Sequence, residues 1–181
     1  IIQKNTLLMH NIVMVNFLNF LFFQLNWFAC AYSASYQKPI LGISCVICTT
    51  IVYITYSKIK RFDCLFFAFL GLLGFLIDTF FIQINAIQMI PVTSVSPAFM
   101  VALWVNFVST FKFSLSWIHK HSNWALIFAF FGAPLSYYAG AKIGALSLNP
   151  SLFYSLSTIG IIWVPAMFLL IKTYKKWGVY E

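Results

Sequence analysis

Six long apolar stretches run through the chain at roughly 13–36, 40–57, 62–84, 97–118, 123–145 and 151–173, interrupted only by short polar or proline-bearing segments. About 20 apolar residues are what an α-helix needs to cross a hydrocarbon core of about 30 Å. Apolar residues make up 62% of the 181 positions and charged residues 8%. A soluble domain is closer to about half apolar and a quarter charged, and one as apolar as this would be covered in adhesive patches. The expectation is an all-α fold, a polytopic transmembrane helical bundle of about six spans. It divides into an N-terminal lead over 1–12, a helical domain over 13–173 and a basic tail over 174–181. Met14 is read as a candidate start of the protein proper. The competing reading of the N-terminus is a cleaved signal peptide, with Lys4 ahead of it and Ala31–Ser35 as its cleavage site. The amides Asn16, Asn19, Gln24 and Asn26 are too polar for the core of such a peptide.

Basic residues set a direction. Lys4, Lys58, Lys60, Arg61, Lys120, Lys172, Lys175 and Lys176 fall on one side of a six-span arrangement, and only Lys38 lies in a loop on the other. Cytoplasmic loops carry the Lys/Arg excess, so both termini are expected in the cytoplasm. The net charge of +8 does not suggest a nucleic-acid partner, because the basic residues are scattered between apolar runs instead of sharing a face. Pro39, Pro97 and Pro150 mark the starts of the second, fourth and sixth spans. A first helical turn tolerates proline because its missing N–H would be unpaired anyway.

Ionisable side chains are costly at membrane depth and mark candidate sites. Asp78 in the third span and Lys142 in the fifth come out at similar depth, roughly 5 Å apart along the bilayer normal by helix rise, so an ion pair between them is expected. Lys112 in the fourth span can reach the headgroups. On the same helix Asn106, Ser109, Lys112 or Phe113, and Ser116 recur every three or four residues as one polar stripe. Asn19 and Asn26 share a side of the first helix, with Gln24 at mid-depth. Such groups either bond across helices or line a polar cavity walled by Trp27 and Trp104. Gly132, Ser136, Gly140 and Gly144 repeat at four-residue intervals beside Ala129, Ala133, Ala141 and Ala145. That row is expected to let a neighbouring helix pack closely. Pro134 and Pro165 predict kinks.

The residues for most enzyme chemistry are sparse. The only acids are Asp63, Asp78 and Glu181, so no paired carboxylates offer general acid/base catalysis. His10, His119 and His121 lie outside the spans and lack nearby carboxylate or thiolate companions, so no metal site is expected. No phosphate-cradling glycine loop or nucleophile elbow occurs, and no cofactor is implied. Cys30 and Cys45 lie equally far from the turn near Lys38. They form a candidate redox pair, against the plainer reading of small apolar residues in helices.

Four stretches together carry a resemblance: Asn19–Ala34 (NFLFFQLNWFACAYSA), Gly71–Asp78 (GLLGFLID), Ala102–Trp117 (ALWVNFVSTFKFSLSW) and Gly132–Ala145 (GAPLSYYAGAKIGA). The chain resembles, from about Met14 onward, a family of short bacterial inner-membrane proteins catalogued as domain of unknown function 2878. The family-like positions are Gln24, Trp27, Asp78, Trp104, Asn106, Trp117, Pro134, Tyr137, Gly140 and Gly144. Lys112 and Lys142 depart from the pattern, standing where a smaller polar residue and an arginine are expected. The resemblance implies a multi-pass protein of the bacterial inner membrane and no particular activity.

Three classes of function follow. The first is a small binding or permeation bundle for a small or amphipathic molecule, built from Gln24, Asn26, Trp27, Asp78, Trp104, Asn106, Ser109, Tyr137 and Lys142. The second is an accessory or structural subunit supporting a lipid-modifying system, with a membrane-protein partner or a second copy of itself. The third is a membrane-embedded thiol-redox or lipid-directed enzyme. Membrane lipids are expected neighbours in all three.

Overall fold

A computed structural model of the chain describes residues 2–56, 60–119 and 121–177. Lys58, Lys120 and Glu181, used above for orientation and chemistry, lie outside them. Six helices form an all-α bundle: α1 (Ile2–Ser35), α2 (Pro39–Tyr56), α3 (Lys60–Gln83), α4 (Ala98–Phe111), α5 (Ser122–Ile143) and α6 (Leu152–Trp177). Four contain apolar stretches long enough to cross a membrane, Val13–Ser35, Arg61–Gln83, Ser122–Ile143 and Leu152–Lys176, and α2 and α4 are shorter apolar helices. Large apolar side chains face outward all around, among them Phe17, Leu72, Phe131, Leu135, Phe153 and Phe168. Water would drive such a surface to aggregate, whereas lipid is its natural solvent. This is a membrane protein.

The helices that end beside the proline-bearing loops stop by one device. Lys38 N–H bonds the Ser33 carbonyl (2.8 Å), Ala86 N–H the Phe81 carbonyl (2.9 Å) and Ala145 N–H the Gly140 carbonyl (3.1 Å). Each wrap closes through a left-handed residue: Gln37, Asn85 and Gly144. The geometry pairs carbonyls that a helix terminus would otherwise leave bare. Proline then restarts the chain: Pro39 opens α2, and α4 begins one residue after Pro97.

Two details depart from the expected pattern. The loops at 85–96 and 146–150 contribute a two-stranded antiparallel ribbon, β1 (Ile87–Met89) and β2 (Leu146–Leu148), with Gln88 opposite Ser147. Ile87, Met89 and Leu146 point inward and are buried, forming a roof over that end of the bundle. The pairing satisfies backbone groups beside these buried side chains. The second departure is the end of α4 at Phe111, with a turn and a 3-10 helix (Ser116–His119) replacing the expected continuation to 118.

Helix pairs α5–α6, α1–α2 and α3–α4 pack most extensively, α4 also lies against α1 and α2, and α1 meets α5 only lightly. Glycine explains two of the close seams. A Cβ on Gly42 would sit 2.4 Å from the Cys30 Cα, and one on Gly160 would sit 2.7 Å from the Phe130 carbonyl oxygen. Phe130 precedes Pro134 by four residues, so proline leaves that carbonyl without its helical N–H partner. The bare Cα of Gly160 fills the vacated side.

Candidate functional site

Asp78 is fully buried where α3, α4 and α5 converge. The Trp104 indole N–H donates to one carboxyl oxygen at 2.9 Å, and the Tyr137 hydroxyl donates to the other. Both oxygens therefore have a neutral donor, as a buried carboxyl requires. Gly74 makes the arrangement spatially possible, since a Cβ there would lie 2.1 Å from the Trp104 ring. It precedes Asp78 by four residues and so shares its face of α3. From α6, Trp163 stacks on Trp104 with ring centroids 4.3 Å apart and planes at 14°. The Trp163 Nε1 is buried without a partner among the described residues.

The expected ion pair does not form. Lys142 is exposed, and its ammonium lies 5.3 Å from the centre of the Tyr138 ring. Tyr137 and Lys142 are five residues apart, a rotation of about 140° around α5. Turning Tyr137 toward Asp78 therefore turns Lys142 away. A cation–π contact replaces the salt bridge.

Trp104, Tyr137 and Trp163 also wall a cavity. A pocket of about 100 Å³ lies beside them, and a larger one of about 410 Å³ opens between α1, α4, α5 and α6. Both have Phe23, Trp27, Phe107, Ser136, Tyr137 and Trp163 in their walls. At that shared wall the Trp27 indole donates to the Ser136 hydroxyl at 3.0 Å, linking α1 to α5. Gln24 lines the larger cavity, and no described residue pairs with its amide.

The small-residue row of α5 has a different use from the one expected. Gly132 and Ser136 line the larger cavity and Gly140 the smaller. A Cβ on Gly132 would meet nothing nearer than its own helix's Phe128 ring at 3.6 Å, and one on Gly140 only Leu146 at 3.8 Å. No neighbouring backbone fills the groove they make. Gly144 supplies the left-handed end of α5. The buried face of α5 is the row of Ala125, Ala129, Ala133 and Tyr137.

The amides form a second cluster. Asn26 donates to Thr49 on α2 (2.8 Å) and to the Asn106 side-chain oxygen (3.0 Å), and Asn106 donates to the Phe23 carbonyl (3.0 Å). Asn19 donates to the Ser109 carbonyl (3.1 Å) and accepts from the Ser114 hydroxyl (2.7 Å). It thereby serves polar groups left exposed where α4 stops. Because α4 ends at Phe111, Lys112, Phe113 and Ser116 do not extend the polar stripe, and the Ser109 hydroxyl bonds its own helix at Asn106 (2.8 Å). Asn19, Asn26, Asn106 and Ser109 border a separate pocket of about 290 Å³, whereas Trp27 and Trp104 belong to the other cavity. The single cavity expected from sequence is thus two, separated by Phe23.

Cys30 is buried against α2 while Cys45 is exposed, and both are free thiols, so they are not joined. Among the described residues no three His, Cys, Asp or Glu side chains come together. Trp163, Gly74, Thr49 and Ser114 were not singled out in the sequence. Trp163 carried a usable signal, being a tryptophan at mid-span, away from the interface level these residues favour.

A model of the family described as a protein of unknown function (DUF2878) matches residues 16–169, which takes in most of the helical bundle. No curated protein and no solved structure matches the chain.

Proposed function

We propose that this chain, which belongs to the DUF2878 family, is a membrane-embedded binding bundle for a small or amphipathic molecule. The observation that carries the reading is the cavity of about 410 Å³ beside Tyr137 and Trp163, joined through shared walls to the pocket beneath Trp104. Ligand sites are commonly concave, mostly apolar and about 300–1,000 Å³ in volume, with a few fixed polar groups. Binding is favoured over permeation because the Trp104–Trp163 stack and the inward-facing Leu146 of the ribbon occupy the end of the smaller pocket. The interrupted α4 adds support, since Phe107, Thr110 and Leu115, on either side of its end, all border the larger cavity. Native mass spectrometry of gently extracted protein tests the reading. A discrete adduct is expected, weakened in Trp104→Phe and Tyr137→Phe variants that keep native helicity. Bare protein, or an unselective ladder of lipids unaffected by either variant, would overturn it.

The topology belongs to the same proposal: six crossings, both ends cytoplasmic, in a bacterial inner membrane. The lysine and arginine distribution supports it, as does the shared ending of α1, α3 and α5 beside proline-bearing loops. A C-terminal alkaline phosphatase fusion should be inactive and a C-terminal fluorescent-protein fusion bright. An active phosphatase would reverse the orientation.

A further inference from the structure

Resting on the binding reading, we infer that the ligand is an uncharged, chain-bearing molecule of the lipid phase that enters sideways between α1 and α5. The seam between these helices is lightly packed, and residues of both helices wall the cavity beside it. Four residues of the cavity wall also face outward, Phe20 (48% exposed), Phe28 (45%), Phe128 (46%) and Leu135 (65%). All four lie in the apolar stretches of α1 and α5 that are long enough to span a bilayer, so the mouth meets hydrocarbon and not water. Leu146 closes the ribbon end, and Leu115 and Met167 border the other.

The lining specifies the chemistry. It contains no Lys, Arg, His, Asp or Glu, so a charged ligand would be buried without a counter-charge. Asp78 lies behind the wall with both oxygens already engaged by Trp104 and Tyr137. The polar groups with unused capacity in the crevice are the Gln24 amide, which has no partner among the described residues, and the Ser136 hydroxyl, which accepts from Trp27 and still has its proton to donate. They suit a hydroxyl, carbonyl or ether oxygen. The walls extend from Phe20 to Ala31 along α1, about 16 Å by helix rise. Gly132, Ala133 and Ala139 keep the opposite side low. A long groove with aromatic walls and a floor of small residues fits a hydrocarbon chain.

The test uses the whole protein in phosphatidylcholine–phosphatidylglycerol vesicles and hexadecanol carrying a diazirine in its chain. Photolabelling should map to the peptides covering 20–31 and 128–139, saturate, and be competed by plain hexadecanol. Gly132→Leu should weaken it about tenfold, because the added side chain points into the cavity without meeting backbone. Ala139→Leu provides a second filling variant should the first misfold. Hexadecyl phosphate should compete poorly. Equal competition by the phosphate would overturn the uncharged ligand, and labelling indifferent to both filling variants would overturn the lateral route. Labelling that neither saturates nor competes would remove the lipid-phase ligand altogether. A discrete adduct persisting in native mass spectrometry would then leave the binding reading standing.

Discussion

Gly42 and Gly132 are both glycines inside apolar helices, yet their surroundings differ. A methyl group at Gly42 would collide with the backbone of Cys30 at 2.4 Å; at Gly132 it would meet only a ring of its own helix at 3.6 Å. The α1–α2 seam uses the missing side chain to bring two backbones together, and the Ser33 hydroxyl accepts the Gly42 N–H there at 3.2 Å. The α1–α5 seam uses the same absence to keep a space open. A small-residue row therefore says that a helix face is shallow. Whether a helix or a cavity occupies the shallow side depends on what the rest of the fold brings up to it.

Substitutions that add one methyl group probe this contrast most directly. The largest effect is expected at Gly74, where alanine would push into the Trp104 ring. Overpacking, loss of the Trp163 stack and loss of the bond to Asp78 together should cost roughly 3–5 kcal/mol, read from detergent-induced unfolding followed by tryptophan fluorescence. A loss below about 1 kcal/mol would mean that Trp104 has another place to go. Gly42→Ala and Gly160→Ala should each cost about 1–3 kcal/mol, because their obstacles are backbone and cannot swing aside. Gly132→Ala should have the opposite sign, neutral or stabilising by up to about 1 kcal/mol through helix propensity; a clear destabilisation would show that the seam is closed. Trp27→Phe keeps the ring but removes the bond to Ser136, and should lower stability by only about 0.6 kcal/mol. Circular dichroism melts of the purified variants would resolve the sign at Gly132, and a double-mutant cycle with Ser136→Ala would isolate the weaker Trp27 bond.

The parts of the site that could be read from sequence were those governed by helix period alone. Asn19 and Asn26, seven apart, do face the same neighbour, α4. Asp78, Trp104 and Tyr137 were separate candidates, and they meet. Their partnership was hidden because depth along the bilayer can be counted from loops while rotation about each helix cannot. The Asp78–Lys142 expectation failed on that point: Asp78 meets Tyr137, and five residues of helix turn Lys142 the other way. The end of α4 at Phe111 was also hidden, since an apolar stretch reads the same whether its backbone stays helical or turns under an asparagine from another helix.

From the sequence came the membrane as solvent and the six helical segments, because hydrocarbon admits only long apolar runs whose backbone groups are paired internally. The helix ends beside the proline loops followed largely from local chemistry. The tertiary structure decided which helices touch. It placed Trp163 against Trp104, gave Asp78 two neutral donors in place of a lysine, and left the α1–α5 seam open beside a glycine row that looked built for closure. Lipid is as apolar as the side chains it replaces, so hydrophobicity cannot choose between partners here. Shape and a few hydrogen bonds make that choice, and both arise only when distant helices come together.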